Sequence, residues 1–467
     1  MTKPTSLADF RFDPDAEHDY IDAAFVALEI TRLLREGDTD SVREFLITQE
    51  LADVAAYLEE LDVDEALTAT RLLPLHDQAE LIGYLKPSSQ LVVATQMRRR
   101  ELAALMSAMS HDERADLFKQ LDEEAQEALL PALSKAERDD LRRLASYEEW
   151  TVGSVMTSDY ATLKPEMSAS EALEALRAQA LEAETVYTAY IVDDDRHLIG
   201  VLDLRDLLIA RRRQRVDSIM DTEPVWIRAD AEQEEAARMI ARYDLIALPV
   251  LDTDDRLVGI VTADDAMDVA ADEVTEDFHK GSLVSPLETS VAEATISVLY
   301  KARIYWLVLL VFGNIFSGAG IAYFEEIISA HLSLLFFLPL LIASGGNAGT
   351  QSATLMVRAL ATDDVRPSDF GRLLARELAI ALALGVTMAL AVSVIGIWRG
   401  GVEIAVVVAL AMTAIVLMGS LMGMSLPFIF ARFNRDPAAA SGPLVTSMAD
   451  ILGVLTYFGI ASVLLDI

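Results

Sequence analysis

The sequence predicts a multidomain membrane protein in four parts: an all-α helical-repeat N-terminal domain, an α/β tandem repeat, a connecting helix and a five-helix α-helical transmembrane domain. Three observations predict it. Related phrases recur after 35 residues near the N-terminus, a strand-and-helix unit recurs after 64 residues in mid-chain, and five apolar stretches fill the last third. The boundaries expected from them are 1–20 (a disordered acidic N-terminus), 21–150, 151–272, 273–303 and 304–467.

The 467 residues are too many for one ordinary domain. Formal charge is -36, and its location says more than its size. Of 38 basic and 74 acidic residues, 9 and 10 lie from Tyr300 onward, which leaves 29 and 64, a net of −35, in the first 299. Such a field repels nucleic acid and draws cations. Nucleic acid is excluded as a partner. With no cysteine, disulfides and thiolate metal sites are excluded too, and 6 scattered histidines without metal-ligand spacing argue against zinc. The metals left are those bound by oxygen, such as Mg²⁺, Ca²⁺ or Mn²⁺. The polar, acidic start has no basic stretch followed by an apolar core, so no signal peptide is expected and the first domains are placed in the cytoplasm.

From Ile21 to about Tyr147 apolar residues recur three and four apart, as in Leu51, Val54, Ala55, Leu58 and Leu61, the period of short amphipathic helices. Leu75-His-Asp-Gln-Ala-Glu-Leu81 returns as Ser110-His-Asp-Glu-Arg-Ala-Asp-Leu117. A stacked helical-repeat array fits this, with an irregular bundle as the alternative.

From Val152 to about Val269 short strands alternate with helices. Val155-Met156-Thr157 is echoed by Ile219-Met220-Asp221, and Tyr190-Ile-Val-Asp193 with Gly200-Val-Leu-Asp-Leu-Arg-Asp206 by Leu248-Pro-Val-Leu-Asp252 with Gly259-Ile-Val-Thr-Ala-Asp-Asp265. This resembles a tandem pair of CBS domains, a regulatory module that often binds adenine nucleotides. In that family a hydroxyl followed three residues later by Asp holds a ribose or phosphate. The second copy keeps Thr262 and Asp265; the first has Asp203 in place of the hydroxyl, with Asp206 retained, which disfavours phosphate there. ATP at the CBS pair is the nucleotide the resemblance makes a candidate. Residues Leu287 to Arg303 then read as a helix entering the membrane, with Val291, Ala294, Val298 and Ala302 along one side.

The five apolar stretches, 304–323, 332–357, 378–398, 404–430 and 444–465, can each cross about 30 Å of hydrocarbon. With a cytoplasmic N-terminus, Arg358, Arg366, Arg372, Arg376, Arg432 and Arg435 fall on the inner loops, which obeys the positive-inside rule and leaves the C-terminus outside. The second crossing contains Ser344-Gly-Gly-Asn-Ala-Gly-Thr-Gln351 after Pro339. It is expected to be interrupted, with freed backbone groups facing a polar cavity, or else to pack closely through its small residues. The last crossing holds a lone acid, Asp450. A carboxylate at such depth costs about 2.5–3.5 kcal/mol on insertion scales and usually faces a cavity or an ion path.

Pro339, then Gly345-Gly-Asn-Ala-Gly-Thr-Gln351 and Arg358, then Asp436-Pro437, Gly442-Pro443 and Asp450, resemble the MgtE family of magnesium transporters and channels. The order of parts matches as well, so the resemblance spans essentially all of the chain beyond the first 20 residues. It implies a homodimer in the inner (plasma) membrane that imports Mg²⁺ through a pore where two Asp450 carboxylates face each other. It also implies Mg²⁺ bound in the cytosol that closes this pore. The matching acids are Glu80, Asp112 and Asp116 in the helical part, Glu232, Glu234, Asp244, Asp265 and Asp268 in the CBS part, and Glu276 and Asp277 on the link. An Asn that some members carry near the position of Gly442 is absent. A membrane-anchored CBS sensor of metal or nucleotide, without transport, is the alternative; an enzyme is not expected, for want of any phosphate-binding loop or nucleophile motif.

Overall fold

Side-chain caps start several of the N-terminal helices. Asp38 accepts the N–H of Ser41, Asp122 that of Ala125, and Ser134 and Glu137 form a reciprocal capping box. These bonds satisfy N–H groups that the first turn of a helix leaves free. The computed structural model describes residues 23–285, 287, 291, 294–362, 364–433 and 435–465; the expected disordered N-terminus, 1–20, lies outside them. Ten helices, α1–α10, occupy the stretch from Ala23 to Ala145. Among them α3 (Leu51–Glu59) packs on α5 (Leu75–Tyr84), α5 on α7 (Arg99–Ala108), α4 (Val63–Thr70) on α6 (Pro87–Gln96), and α6 on α8 (His111–Gln120). Each of these helices packs on the one two places along, which is how a helical-repeat array buries its apolar faces. The recurring phrases open α5 and α8, each with a His-Asp pair in the first turn, where a negative charge is favoured.

The middle part forms two three-stranded sheets of the same design. β1 (Tyr160–Leu163) runs parallel to β2 (Thr185–Val192), which is antiparallel to β3 (Leu198–Asp203); β4 (Ile227–Arg228), β5 (Ala247–Leu251) and β6 (Leu257–Thr262) repeat that order. Helices α11 (Ala169–Gln179) and α12 (Leu204–Ile209) belong to the first copy, and α13 (Gln233–Tyr243) and α14 (Ala263–Gly281) to the second. The segment that opens each copy lies across the sheet of the other: Thr157 bridges to Ile260, and Asp221 to Val201. Glycine is required at both crossings. A Cβ on Gly259 would lie 2.5 Å from Met156 Sδ, and one on Gly200 2.7 Å from the Asp221 carbonyl oxygen. The echoed Val-Met-Thr and Ile-Met-Asp phrases are thus the two swapped arms. One hydrophobic core runs from Val26 and Leu67 through Leu141 and Val152 to Leu248 and Val261, so the helical array and the second copy share an interior.

The chain divides at Ala271/Asp272 into two units. In the second, four helices are long and apolar enough to cross a membrane, by length and composition: α15 (Ile296–Tyr323), α17 (Ser333–Ala361), a segment containing α18 (Phe370–Arg432), and α19 (Gly442–Leu464). A short helix, α16 (Glu325–Ala330), follows α15. At 63 residues α18 would span about 95 Å if straight, but Gly401 breaks it with φ 82° and ψ −178°. Its halves fold back on each other. A Cβ on Gly396 would sit 2.8 Å from Ala405 Cα, one on Gly385 3.0 Å from Thr413 Cα, and the rings of Phe370 and Phe428 are 5.2 Å apart. The four helices therefore hold five stretches of crossing length, as the sequence expects.

Two expectations need correction. The helix expected from Leu287 starts at Ile296; Ala294 and Thr295 are not helical, Thr295 caps the helix through the N–H of Val298, and most of 286–293 lies outside the described residues. The second crossing is not interrupted either. α17 is a continuous helix through Ser344–Gln351, and its glycines serve close packing. A Cβ on Gly419 would lie 2.3 Å from the Gly345 carbonyl oxygen, and one on Gly423 2.0 Å from that of Gly349. Two pairs of glycines, each four residues apart, let α17 and α18 meet backbone to backbone.

Candidate functional site

Close approach of α17 to α18 leaves the opposite side of α17 to polar residues. Asn347, Thr350 and Gln351 recur three and four apart and so share one face, and they line a cavity of about 570 Å³. α19 contributes Pro443, Thr446, Ser447 and Asp450, again at helical spacing, and α15 contributes Leu310 and Asn314. Small residues bring the walls together: a Cβ on Gly346 would meet Thr446 Cγ2 at 3.1 Å, and one on Gly442 would meet Thr350 Cγ2 at 3.1 Å. The Thr350 and Thr446 hydroxyls are 3.4 Å apart. Pro443 stands in the first turn of α19, where its missing N–H is harmless, and Ser441 caps that turn through the N–H of Leu444. Asp450 is half-buried at this wall, and among the described residues its carboxylate has no hydrogen bond or ion pair with another side chain. It faces a polar cavity as an uncompensated acid, which is the arrangement expected of an ion path and not of a structural pair.

A second group of acids gathers on the first unit. Asp112, Glu113 and Asp116 lie on α8, and Asp264, Asp265 and Asp268 on α14. The Glu113 carboxylate lies against Gly83 of α5, 3.0 Å from where a Cβ would be. Burial, then the charges of Asp112, Asp116, Asp268 and Glu184, push Glu113 up to about 7. Burial, then Asp112, Asp159 and Asp264, push Glu184 up to about 7 as well. Asp265 is held well above the usual carboxylate range by burial and by Asp112, although Thr262 donates a hydrogen bond to it. Burial and then Glu80, Asp264, Glu50 and Glu113 raise the Tyr84 hydroxyl, which places Glu80 at the same patch. One oxygen of Asp112, Oδ1, is buried with no hydrogen-bond partner. Six carboxylates on α8 and α14, with an orphaned oxygen among them, suit an oxygen-loving divalent cation, although among the described residues no three acids or histidines already converge as a ligand cage.

Next to this patch the charges are paired. Asp140 of α10 (Lys135–Ala145) accepts from His111 at 2.9 Å, Arg143 at 2.6 Å and Ser158 at 2.9 Å. Despite burial, these donors hold its carboxyl well below the usual range. Arg143 also donates to the Val258 carbonyl of β6 at 3.1 Å, so the helical array and the second copy are bonded beside the acid patch, in which Asp116 is paired with Lys119 at 3.2 Å.

The remaining candidates do not join that patch. Glu232 and Asp244 flank α13, so about 18 Å of helical rise separates them and they cannot share one ion. Glu234 lies in the first turn of α13. Glu276 and Asp277 lie near the end of α14, where Glu276 is paired with Lys280 at 2.9 Å. Burial and then Asp436 raise the Asp277 carboxyl. Thr262 and Asp265, the expected nucleotide pair, are bonded to each other; Asp203 of the first copy accepts instead from Thr188 at 3.0 Å. Sequence reasoning missed Asn314, Thr350, Glu113 and Glu184. Asn314 was visible as an amide in an apolar stretch, but nothing in the sequence placed Glu184 against α8.

A family model described as the MgtE divalent cation transporter matches residues 338–460, one for the MgtE intracellular N domain matches 49–150, and the CBS domain matches 152–213 and 216–272. The magnesium transporter MgtE of Thermus thermophilus is 37% identical over 444 residues, 94% of this chain and 99% of that protein. The magnesium transporter MgtE of Bacillus subtilis is 32% identical over 436 residues, 93% of this chain and 96% of that one. A crystal structure of the cytosolic domain of the Mg²⁺ channel MgtE in complex with ATP is 37% identical with a TM-score of 0.50, covering 52% of this chain and 99% of that one. Matched along nearly its whole length by these relatives, the chain belongs to the MgtE family of magnesium transporters.

Proposed function

We propose that this chain imports Mg²⁺ across the inner (plasma) membrane through the Asp450 cavity, and that cytosolic Mg²⁺ bound at the acid patches shuts that path. The observation that carries the proposal is Asp450, a carboxylate with no side-chain partner among the described residues, at the wall of an open cavity that Asn347, Thr350, Gln351 and Thr446 also line on an apolar helix bundle. Mg²⁺ sheds water reluctantly. Six waters at about 30 Å³ each fill about 180 Å³, so a cavity of about 570 Å³ has room for the hydrated ion. The Asn347, Thr350, Gln351 and Thr446 side chains offer oxygens to that water shell, and Asp450 supplies the charge that draws the cation in. A single acidic layer binds moderately and lets the ion leave.

In this reading two copies meet with their Asp450 residues facing each other. The N-terminus lies in the cytosol, and five crossings carry the C-terminus outside. The chain is an ion transporter or channel and not an enzyme, with the lipid bilayer and divalent cations as its partners. The gate rests on repulsion. Two carboxylates about 6 Å apart repel by about 3 kcal/mol at an effective dielectric near 20, and a divalent ion turns that repulsion into a bridge. Asp112, Asp116, Asp265 and Asp268, with Glu80, would hold one such ion or more; Glu276 and Asp277 would serve the link, and Glu232, Glu234 and Asp244 the face of α13. A bound Mg²⁺ supplies two positive charges and a preference for oxygen ligands, and differential affinity for the closed arrangement is all that gating needs. ATP, with which the related cytosolic domain was crystallised, is the proposed nucleotide at the CBS pair beside Thr262.

The test is Mg²⁺ uptake by proteoliposomes carrying the parent chain or Asp450→Ala. Uptake by the parent and its loss in a folded Asp450→Ala chain is the expected outcome; equal uptake by the two would sink the pathway.

A further inference from the structure

Lys280, three residues beyond the candidate ligand Asp277, takes no part in either site described so far. Its ammonium nitrogen lies 2.9 Å from Glu276 Oε1, one turn back on α14, and 2.6 Å from Asp436 Oδ2, far away in sequence. The second contact is with a well-anchored group. Asp436 Oδ1 accepts the N–H of Ala438 at 2.8 Å and so caps a one-turn 3-10 helix, Pro437–Ala439. Ala438 and Ala440 are buried, and this turn packs on α17 and α18. Two residues after it, Ser441 caps α19, whose first turn carries Gly442 and Pro443 at the mouth of the cavity. Both carboxylates are only partly exposed, at 22% and 38%, and Lys280 is 33% exposed.

Without the ammonium, Glu276, Asp277 and Asp436 would be three negative charges at one junction. We propose that Lys280 is a resident counter-ion: it holds the end of α14 against the turn that opens the pore helix when no metal is bound, and so lowers the cytosolic Mg²⁺ needed to shut the pore. This rests on the gating reading above and adds to it a residue that stands in for part of the metal's charge. An ammonium tethered by its own chain needs no free ligand, so the junction keeps a bias toward closure even at low Mg²⁺. A partly exposed ion pair is worth little alone, about 1 kcal/mol, which corresponds to about a fivefold change in the concentration at which the gate is half shut.

Uptake by liposomes carrying the full chain, measured over a series of Mg²⁺ concentrations on the cytosolic face, tests this. Lys280→Gln should keep Mg²⁺-free uptake at least as fast as the parent's, which shows the chain is folded, and should raise the half-closing concentration about fivefold. Lys280→Arg, which keeps the cation, should stay near the parent value. Asp436→Asn should shift it as Lys280→Gln does, and the two together should shift it no further, because they remove one contact. A parent that Mg²⁺ suppresses, with Lys280→Gln unshifted or with shifts that simply add, overturns the role of Lys280 alone. A parent that cytosolic Mg²⁺ does not suppress at all overturns the gating reading and this role with it.

Discussion

Asp450 stands by itself at a cavity wall in the membrane unit, with no side-chain partner among the described residues. Asp265 in the first unit shares its surroundings with Asp112 and Asp264, while Glu113 beside them feels Asp112, Asp116, Asp268 and Glu184. The same chemical group is thus used sparsely in one region and densely in the other. A lone carboxylate attracts a hydrated divalent ion strongly enough to admit it and weakly enough to release it, which suits passage. A crowd of carboxylates opposes its own assembly until a cation arrives, and then holds that cation, which suits a switch. The contrast can be broken by experiment at either end.

The largest effect belongs to the sparse site. Asp450→Asn keeps the shape and removes the one charge among the described lining residues, and a divalent ion about 5 Å from a carboxylate gains about 7 kcal/mol at an effective dielectric near 20. Even after a heavy discount for water in the cavity, uptake should fall about 100-fold in a flux assay, since each 1.4 kcal/mol is about tenfold. If Asn347 or Gln351 carried the ion instead, their alanine variants would show that loss and Asp450→Asn would not.

Next in size is the packing that aims the cavity face. Gly423→Ala would put a methyl 2.0 Å from the Gly349 carbonyl oxygen, against rigid backbone. The helices must separate, at a cost of about 1–3 kcal/mol. The thermal midpoint in detergent should drop by several degrees and uptake should fall with it. Gly313→Ala is the control, because nothing lies within 4 Å of its would-be Cβ.

The same two regions differ in how far the sequence reveals them. The five stretches were legible because crossing length depends only on a run of apolar residues, and Asp450 because a lone acid stands out in one. The glycines of α17 were ambiguous: a glycine in a helix marks either a break or a close approach, and the choice depended on Gly419 and Gly423, some 70 residues away in sequence. The helix start at Ile296 was misplaced because apolar period runs back past a cap that only Thr295 marks. In the first unit the phrase around Asp112 fixed a helix and its acids, but not which face of which neighbour they meet. Glu113, one position along, turned inward against Gly83, and Glu184 arrived from β2's edge of the first CBS copy.

A smaller effect is expected from thinning the crowd. Glu113→Gln with Asp265→Asn removes two charges that resist burial. In chelator the double variant should melt higher than the parent, by about 1 kcal/mol of added stability. Its gain on adding Mg²⁺ should shrink, because two oxygens of the acceptor set lose their charge. If the acids were only a solubilising surface, neither melting point would change and Mg²⁺ would stabilise both proteins alike.

The smallest effect is the pH dependence of the crowd, and its sign follows from where the protons sit. Unfolded, Glu113 and Glu184 lose their protons near the ordinary glutamate value of about 4.3; folded, both hold them up to about 7. Between those limits the folded chain binds more protons than the unfolded one, so stability falls as pH rises. His111 tempers the shift of Glu184 and leaves its direction unchanged. Asp140, held low by His111 and Arg143, titrates below this window and does not oppose the trend. In chelator the thermal midpoint should therefore decline from pH 5 to pH 8, by about 1 kcal/mol of stability after discounting for solvent. Saturating Mg²⁺ should flatten the decline, because the bound ion replaces those protons. A decline that persists unchanged in Mg²⁺ would mean that the ion does not bind beside Glu113 and Glu184.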